Sequence, residues 1–388
     1  MTDHPIAPGG TIGIVGSGQL GRMLSFEAHR LGYRVAVLTG GTKDTPGGRV
    51  ADIEVAAGYD DDLAVQRFVD TCDVITWEFE NVEVDMLEHL ASRSGVPVRP
   101  GSSIIAAAQH RGRERQALMA AGVPVAAFRE VTTTRQLVRA VTDLGPPVIA
   151  KRVRFGYDGR GQVRLASVDE PAARRIVEKI GDDGLIVEEV VPFDAEVSVV
   201  VARGITGEMT HHGVMENVHV NRILDTTVTP PLSVSHRVAA AAVDMATTIA
   251  EHLGLVGVLC VEMFVTGEEL VVNEIAPRPH NSGHCTIEAA STSQFGQQLR
   301  AICGLPLGDG SCRPAAMVQL LGDLWNDPSG HPPGWSEAMA DPGVHLHLYG
   351  KEEVRPGRKM GHMTCIDVSP DKALERALAA RRRLWRRP

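Results

Sequence analysis

No Cys-x-x-Cys pair occurs in this chain, although it carries six cysteines, Cys72, Cys260, Cys285, Cys303, Cys312 and Cys365. Scattered thiols exclude a zinc ribbon and a disulfide frame, and suit a reduced, cytosolic protein. No uninterrupted apolar stretch reaches membrane-spanning length, and Met1–Gly10 offers no apolar core for a signal peptide. A basic surplus is also missing. The net charge of −9 argues against nucleic acid as the main partner, and the terminal run Arg381–Arg387 reads as a solvated, frayed helix end. What is there is length and apolar content: 388 residues at 43% hydrophobic predict two or three domains with sizeable cores.

Val261–His284 is the stretch around which the chain is organised. Two β-branched runs flank Thr266-Gly267-Glu268-Glu269 and predict a β-hairpin. With the turn centred near Glu268, Glu262 and Glu274 stand opposite each other on one face. Like charges so placed destabilise a hairpin. A divalent cation reverses that penalty, and carboxylate oxygens are what Mg²⁺ prefers, with Asn273 as a third oxygen donor. An exposed hairpin with screened carboxylates is the plainer alternative. Beyond it, Arg278, His280, Asn281 and His284 crowd a Pro- and Gly-bearing loop suited to anion binding and proton transfer. Metal and anion loop together suggest phosphoryl transfer.

The N-terminal region predicts a βαβ unit: strand Thr11–Val15, a Gly16-Ser17-Gly18-Gln19-Leu20-Gly21 turn, a helix to about Leu31 and strand Tyr33–Leu38. A dinucleotide site wants an acid at the end of the second strand, but Thr39-Gly40-Gly41 follows and Asp44 is the first acid. The glycines therefore suit close approach of some other anion to a helix N-terminus. Val74–Val82 reads as a strand with an acidic end, Glu78 and Glu80 sharing parity, and Val96–Gly101 as a last short strand and linker.

Further on, helices are expected over Arg111–Ala121, Thr134–Leu144, Ala239–Leu253 and Ser291–Cys303, the last capped by Gly304. Strand Pro147–Lys151 ends in a lysine that must meet an anion, a phosphate or a neighbouring carboxylate. Arg154–Val163 has three glycines within six residues, so it is either a mobile loop covering phosphates or a plain hairpin turn. In the strand Leu185–Val191 and after it, Glu188 and Glu196 are candidates to hold ribose hydroxyls. Lys351, Arg355, Arg358 and Lys359 place four cations within nine residues, an anion trap or a solvated basic turn.

Gly16–Met23, Thr76–Val82, Gly156–Gln162, Asn273–His284 and Arg355–His362 together resemble the N5-carboxyaminoimidazole ribonucleotide synthetases, ATP-grasp enzymes of microbial purine biosynthesis. The Asn-Glu-Ile-Ala-Pro-Arg-Pro-His-Asn-Ser-Gly-His and Arg-Pro-Gly-Arg-Lys-Met-Gly-His runs are the specific part, and the likeness extends from about Thr11 to His362.

The resemblance implies an α/β ATP-grasp fold. Residues 1–106 would form an N-terminal parallel α/β (pre-ATP-grasp, Rossmann-like) domain, 107–308 the ATP-grasp domain with its lid, and 309–388 a small C-terminal domain. Homodimers are usual for the family. It also implies a reaction in which ATP phosphorylates bicarbonate and the amine of 5-aminoimidazole ribonucleotide captures the carboxyl group. ATP would be bound by Arg111, Lys151, Gly156, Tyr157, Asp158, Gly159, Arg160, Gly161, Gln162, Glu188, Glu189, Val190, Val191, Glu196, His219, Asn273 and Glu274. Glu262 and Glu274 would hold Mg²⁺. Tyr157, Asp158, Arg160, His280 and Asn281 would be catalytic, beside the carboxyphosphate. Gln19, Leu20 and Glu78 would hold the ribonucleotide, and Arg278, Lys351, Arg358 and Lys359 its 5′-phosphate. One departure is Glu352-Glu353 between Lys351 and Arg355, where a single acid is expected. A sister ligase with another acceptor, a nucleotide sensor and a dinucleotide oxidoreductase are the rival readings. The first lacks a use for the Arg355–His362 run, the second for both metal carboxylates, and the third lacks its ribose acid.

Overall fold

The computed structural model describes residues 4–81, 85, 89, 92–154, 161–181, 183–326 and 332–385. The calls on Gly156, Tyr157, Asp158, Gly159 and Arg160 lie outside the described residues.

Short apolar strands build the N-terminal sheet: β1 (Thr11–Val15), β2 (Arg34–Leu38), β3 (Ile53–Val55) and β4 (Val74–Trp77), all parallel in the order β3-β2-β1-β4. Every residue of β1 and β4 is buried, as parallel strands covered on both faces must be. Helix Gln19–Arg30 covers one face with Leu20, Met23, Leu24 and Ala28, and helix Asp62–Asp70 the other with Val65, Phe68 and Val69. Phe295, Leu299 and Ile302, from helix Gln294–Cys303, share the first of these cores and so join the N-terminal sheet to the central region. Two expectations need correction. Val74–Val82 is a strand only to Trp77, because Glu78 turns into the glycine loop. Val96–Gly101 contributes one parallel bridge, Ile75 to Val98, rather than a strand.

The central region holds two antiparallel sheets. The smaller has the order β5-β8-β6-β7, from β5 (Phe128–Val131), β6 (Val148–Arg152), β7 (Gln162–Leu165) and β8 (Leu185–Glu189). Lys151 pairs with Gln162, and β6 and β7, consecutive in the chain, run antiparallel. The larger sheet has eight strands in the order β13-β12-β9-β10-β11-β14-β16-β15. Its members are β9 (Ala195–Arg203), β10 (Met209–Val220), β11 (Ile223–Thr229), β12 (Gly257–Thr266), β13 (Glu269–Ala276), β14 (Ala315–Leu321), β15 (Val344–Leu348) and β16 (Lys359–Ile366). The C-terminal strands thus extend the central sheet through the β11–β14 pairing instead of forming a sheet of their own. Helix His236–His252 packs Val238, Ala242, Ala246 and Ile249 on this sheet.

The C-terminal helix Pro370–Arg383 packs Ala373, Ala377 and Ala380 against β14 and β16. Its basic end is not simply solvated: Arg381 Nη1 and Nη2 lie 2.5 and 3.0 Å from the Asp225 carboxylate. All six cysteines are free thiols, and among the described residues no helix is long and apolar enough to cross a membrane.

Candidate active site

The β12–β13 hairpin is the centre of the site. Its turn has two residues, Gly267 and Glu268, since Thr266 pairs with Glu269, and Gly267 takes φ +58°. From that turn, regular pairing would set Glu262 against Asn273 and send Glu274 to the other face. The register shifts by one residue between Glu262 and Met263, and the bulge restores Glu262 opposite Glu274. The expected pairing is therefore present, through a turn half a residue off the expected centre and a bulge that the sequence pattern did not disclose. Asn273, the extra residue, also faces the cleft.

The two carboxylates differ in company. Burial and the facing Glu274 push Glu262 well above the usual carboxylate range, and His280 Nε2 stands 3.0 Å from its Oε1. Burial also acts on Glu274, but Arg111, Lys151 and Arg115 outweigh it and hold that carboxyl low. Arg111 Nη1 lies 3.4 Å from Glu274 Oε2.

Lys151 meets the neighbouring carboxylate of its two candidate anions. Its Nζ is 2.5 Å from Glu188 Oε2, which also receives Arg115 on its other oxygen at 2.7 Å. Glu188 is buried behind the cleft wall, and it orients Lys151 along the cleft rather than reaching into it. Neither Glu114 nor Arg115 was singled out from the sequence, because buried charges inside a helix read as a solvated amphipathic face. Glu114 anchors the hairpin by accepting from Ile275 N at 2.8 Å. Glu189 accepts from Ala127 N at 2.9 Å, and Val190 and Val191 follow the end of β8. Glu196 and His219 pair with each other at 2.6 Å, and both line the cleft. Gly161 and Gln162 line it at the start of β7.

The anion expected at the Gly16–Gly21 turn is a side chain of the chain itself. Gly18 N and Gly21 N donate to the two Glu78 oxygens at 2.5 and 2.6 Å. A Cβ on Gly16, Gly18 or Gly21 would lie 2.4, 2.7 or 2.9 Å from Glu78 atoms, which is why the turn needs glycine at all three. Leu20 points into the core. Gln19, by contrast, joins three regions: its Nε2 donates to Asn281 Oδ1 at 2.8 Å, and its Oε1 accepts from Lys351 Nζ at 2.6 Å. Glu80, the second acid of that segment, holds Arg278 at 2.6 Å.

The basic turn carries its own acid. Arg355 and Arg358 reach Glu353 at 3.1 and 3.3 Å, and Glu352 reaches Arg49 at 3.4 Å. The double acid therefore spreads over both sides of the turn, and Lys351, Arg358 and Lys359 still face the cleft.

One cleft of about 1300 Å³ connects all of this, from Gln162 and Lys151 past Glu262, Glu274 and His280 to Gln19, Arg278 and the Lys351–Lys359 cations. Among the described residues no group of three or more His, Cys, Asp or Glu could hold a metal alone. Two carboxylates and an amide are nevertheless what Mg²⁺ takes from a protein when phosphate oxygens complete its shell.

Three family models match in succession: a ribonucleotide synthetase preATP-grasp domain over residues 10–109, an ATP-grasp domain over 116–295, and a phosphoribosylaminoimidazole carboxylase C-terminal domain over 315–376. The N5-carboxyaminoimidazole ribonucleotide synthase of Bacillus subtilis (strain 168) is 40% identical over 97% of this chain and 96% of its own length. The enzyme of the same name from Brucella melitensis biotype 1 is 41% identical, covering 94% and 99%. The chain belongs to the N5-carboxyaminoimidazole ribonucleotide synthase family. A solved synthetase of this family in its ADP complex superposes with a TM-score of 0.88 at 41% identity, covering 99% of each chain. The Aspergillus clavatus synthase, solved with ADP and 5-aminoimidazole ribonucleotide, gives 0.88 at 30% identity over 98% and 100%.

Proposed function

We propose that this chain carboxylates 5-aminoimidazole ribonucleotide with bicarbonate at the expense of ATP, giving N5-carboxyaminoimidazole ribonucleotide, ADP and phosphate, and that it works as a homodimer. The observation that carries the reading is the continuity of one cleft between the Glu262–Glu274 pair and the Lys351–Lys359 cations. A triphosphate and a phosphorylated acceptor can lie in it end to end.

In this reading a bicarbonate oxygen attacks the ATP γ-phosphorus and ADP leaves. The ribonucleotide amine then attacks the carboxyl carbon of carboxyphosphate, and inorganic phosphate departs with the bonding pair and takes up the proton that the amine gives up. Lys151, kept straight by Glu188, and Arg111 meet the ATP phosphates. Glu262, Glu274 and Asn273 would hold Mg²⁺, which supplies charge neutralisation at the phosphoryl oxygens. Arg278, Lys351, Arg358 and Lys359 take the ribonucleotide phosphate. Gln19 and Asn281, already bonded to each other, set the acceptor against the carboxyl donor. A site shut against water is required because carboxyphosphate hydrolyses.

Phosphate release from Mg-ATP and bicarbonate, with and without 5-aminoimidazole ribonucleotide, tests the proposal. Release that depends on the ribonucleotide is expected. Release indifferent to it would keep the ATP half and move the acceptor elsewhere.

A further inference from the structure

Four small polar residues lie where strands of the large sheet are otherwise apolar, and the reaction as described uses none of them. Ser198 on β9, Asn217 on β10, Thr227 on β11 and Ser282 after β13 are 0, 5, 0 and 1% exposed. Asn217 pairs with Thr227 across β10–β11, and Ser198 pairs with Glu262 across β9–β12, so these side chains share the face that carries Glu262.

Their hydrogen bonds run in one direction. Thr227 Oγ1 donates to Asn217 Oδ1 at 2.9 Å, which turns the Asn217 amide nitrogen to Ser198 Oγ, also at 2.9 Å. Ser198 spends its own proton on Ser282 Oγ at 2.8 Å. Ser282 Oγ in turn lies 2.9 Å from His280 Nδ1, and the direction of that bond follows the ring tautomer. A second bond needs no assumption about hydroxyl rotors: the Ser282 backbone N–H donates to the same Nδ1 at 3.4 Å, where His280 caps the 281–285 turn. Nδ1 is thus an acceptor and the ring proton sits on Nε2, 3.0 Å from Glu262 Oε1. The reversed tautomer would set a ring N–H against the Ser282 backbone N–H, which has Nδ1 as its acceptor.

We propose that Ser282, backed by Ser198, Asn217 and Thr227, fixes His280 as the Nε2–H tautomer and makes it a standing donor that holds the Glu262 carboxylate ready for a divalent cation. The inference rests on the reading of Glu262 and Glu274 as Mg²⁺ ligands. His280 then acts as a positioning residue. The proton-transfer role expected from its place in an anion loop would need an Nδ1 free to take up a proton, and two donors occupy that nitrogen.

The first test is a long-range ¹H–¹⁵N spectrum of the intact, metal-free protein labelled at histidine, with His280 assigned by the signals lost in His280→Gln. A bare Nδ1 and a protonated Nε2 are expected; a protonated Nδ1 overturns the proposal. The second test is kinetic. Ser282→Ala should raise the Mg²⁺ concentration giving half-maximal turnover by about tenfold to a hundredfold, the usual effect of removing an outer-shell partner. The KM for the ribonucleotide should stay put, and Ser282→Thr should recover most of the loss. Unchanged Mg²⁺ dependence in Ser282→Ala, or an equal rise in both constants, overturns the positioning role. If Glu274→Gln also leaves Mg²⁺ dependence intact, the metal reading has failed rather than the tautomer, which the spectrum reports independently.

Discussion

Glu188, behind the cleft wall, and Glu262, on it, are driven to opposite ends of the carboxylate range. Burial pushes both up. Around Glu188, Lys151 and Arg115 more than offset it and bring the carboxyl down to about 2. Glu262 faces another carboxylate, which adds to the effect of burial and leaves it well above the ordinary value. The fold supplies Glu188 with its cations, so that acid is a strut that aims Lys151. Glu262 has a neutral imidazole donor and two facing or neighbouring acids, and the more distant His219 and Lys359 do not offset burial. A buried carboxylate is thus informative about ligands only when its partners are counted.

The sharpest way to break this comparison is to remove a carboxylate from each side. Glu274→Gln should cut turnover by more than about a hundredfold, since even partners outside the metal shell are worth about ten- to a hundredfold. It should not unfold the protein, because the side chain is partly open to the cleft and glutamine keeps its shape. Wild-type-like turnover would sink the metal reading. Glu188→Ala should instead act on folding. It leaves Lys151 and Arg115 without their shared acid in a closed setting, a change that costs about 3–5 kcal/mol. The midpoint of urea unfolding reads it, and an unmoved midpoint would mean that Glu188 is no strut.

A smaller effect is expected at the other end of the cleft. Arg358→Ala removes one charge-assisted contact, worth about 1.5 kcal/mol or roughly tenfold in affinity. The KM for the ribonucleotide should rise by about that factor, while the KM for ATP should hardly move. Equal changes in both would misplace the phosphate end of the acceptor. Because Arg358 shares Glu353 with Arg355 at rest, a Glu353→Gln variant should not weaken ribonucleotide binding.

What could be read from the sequence follows how far apart the interacting residues are in the chain. Helix Thr134–Leu144 appeared at its observed limits because its signals are adjacent: Thr133 and Gln136 form a capping box. Gly304 was recognisable as a helix cap for the same reason, and takes φ +70°. The hairpin carboxylates were legible as a pair because strand parity is local, yet the bulge that brings them together leaves no mark in the spacing. Partners drawn from other elements were out of reach. Glu78 fills the glycine turn from 57 and 60 residues away, and Asp225 takes Arg381 from 156 residues away. The choice between phosphate and carboxylate for Lys151 depended on which strand would lie beside β6, and β8 brings Glu188. Ser198 and Asn217 were not singled out from the sequence. Their meaning depends on β9, β10 and β11 lying side by side.

The pH dependence of stability gives the finest test of the Glu188 half of the comparison. A carboxyl whose folded value lies at about 2, against 4.5 for the free side chain, keeps its proton off longer in the folded state than in the unfolded chain. Between those two values the unfolded state binds more protons, so stability rises with pH there and is level above it. The contribution of Glu188 is therefore complete at pH 5 and above, and fades as pH falls through 4.5 towards 2. Other acids titrate in the same window, so the useful quantity is the difference between the native chain and Glu188→Gln. The amide cannot titrate and leaves the two cations short of a charge at every pH. The native chain should lead in unfolding midpoint at pH 7, and the lead should shrink steadily below pH 4.5. A lead that stays constant down to pH 3 would show that Lys151 and Arg115 do not depend on the charge of Glu188, and the contrast with Glu262 would then reduce to burial alone.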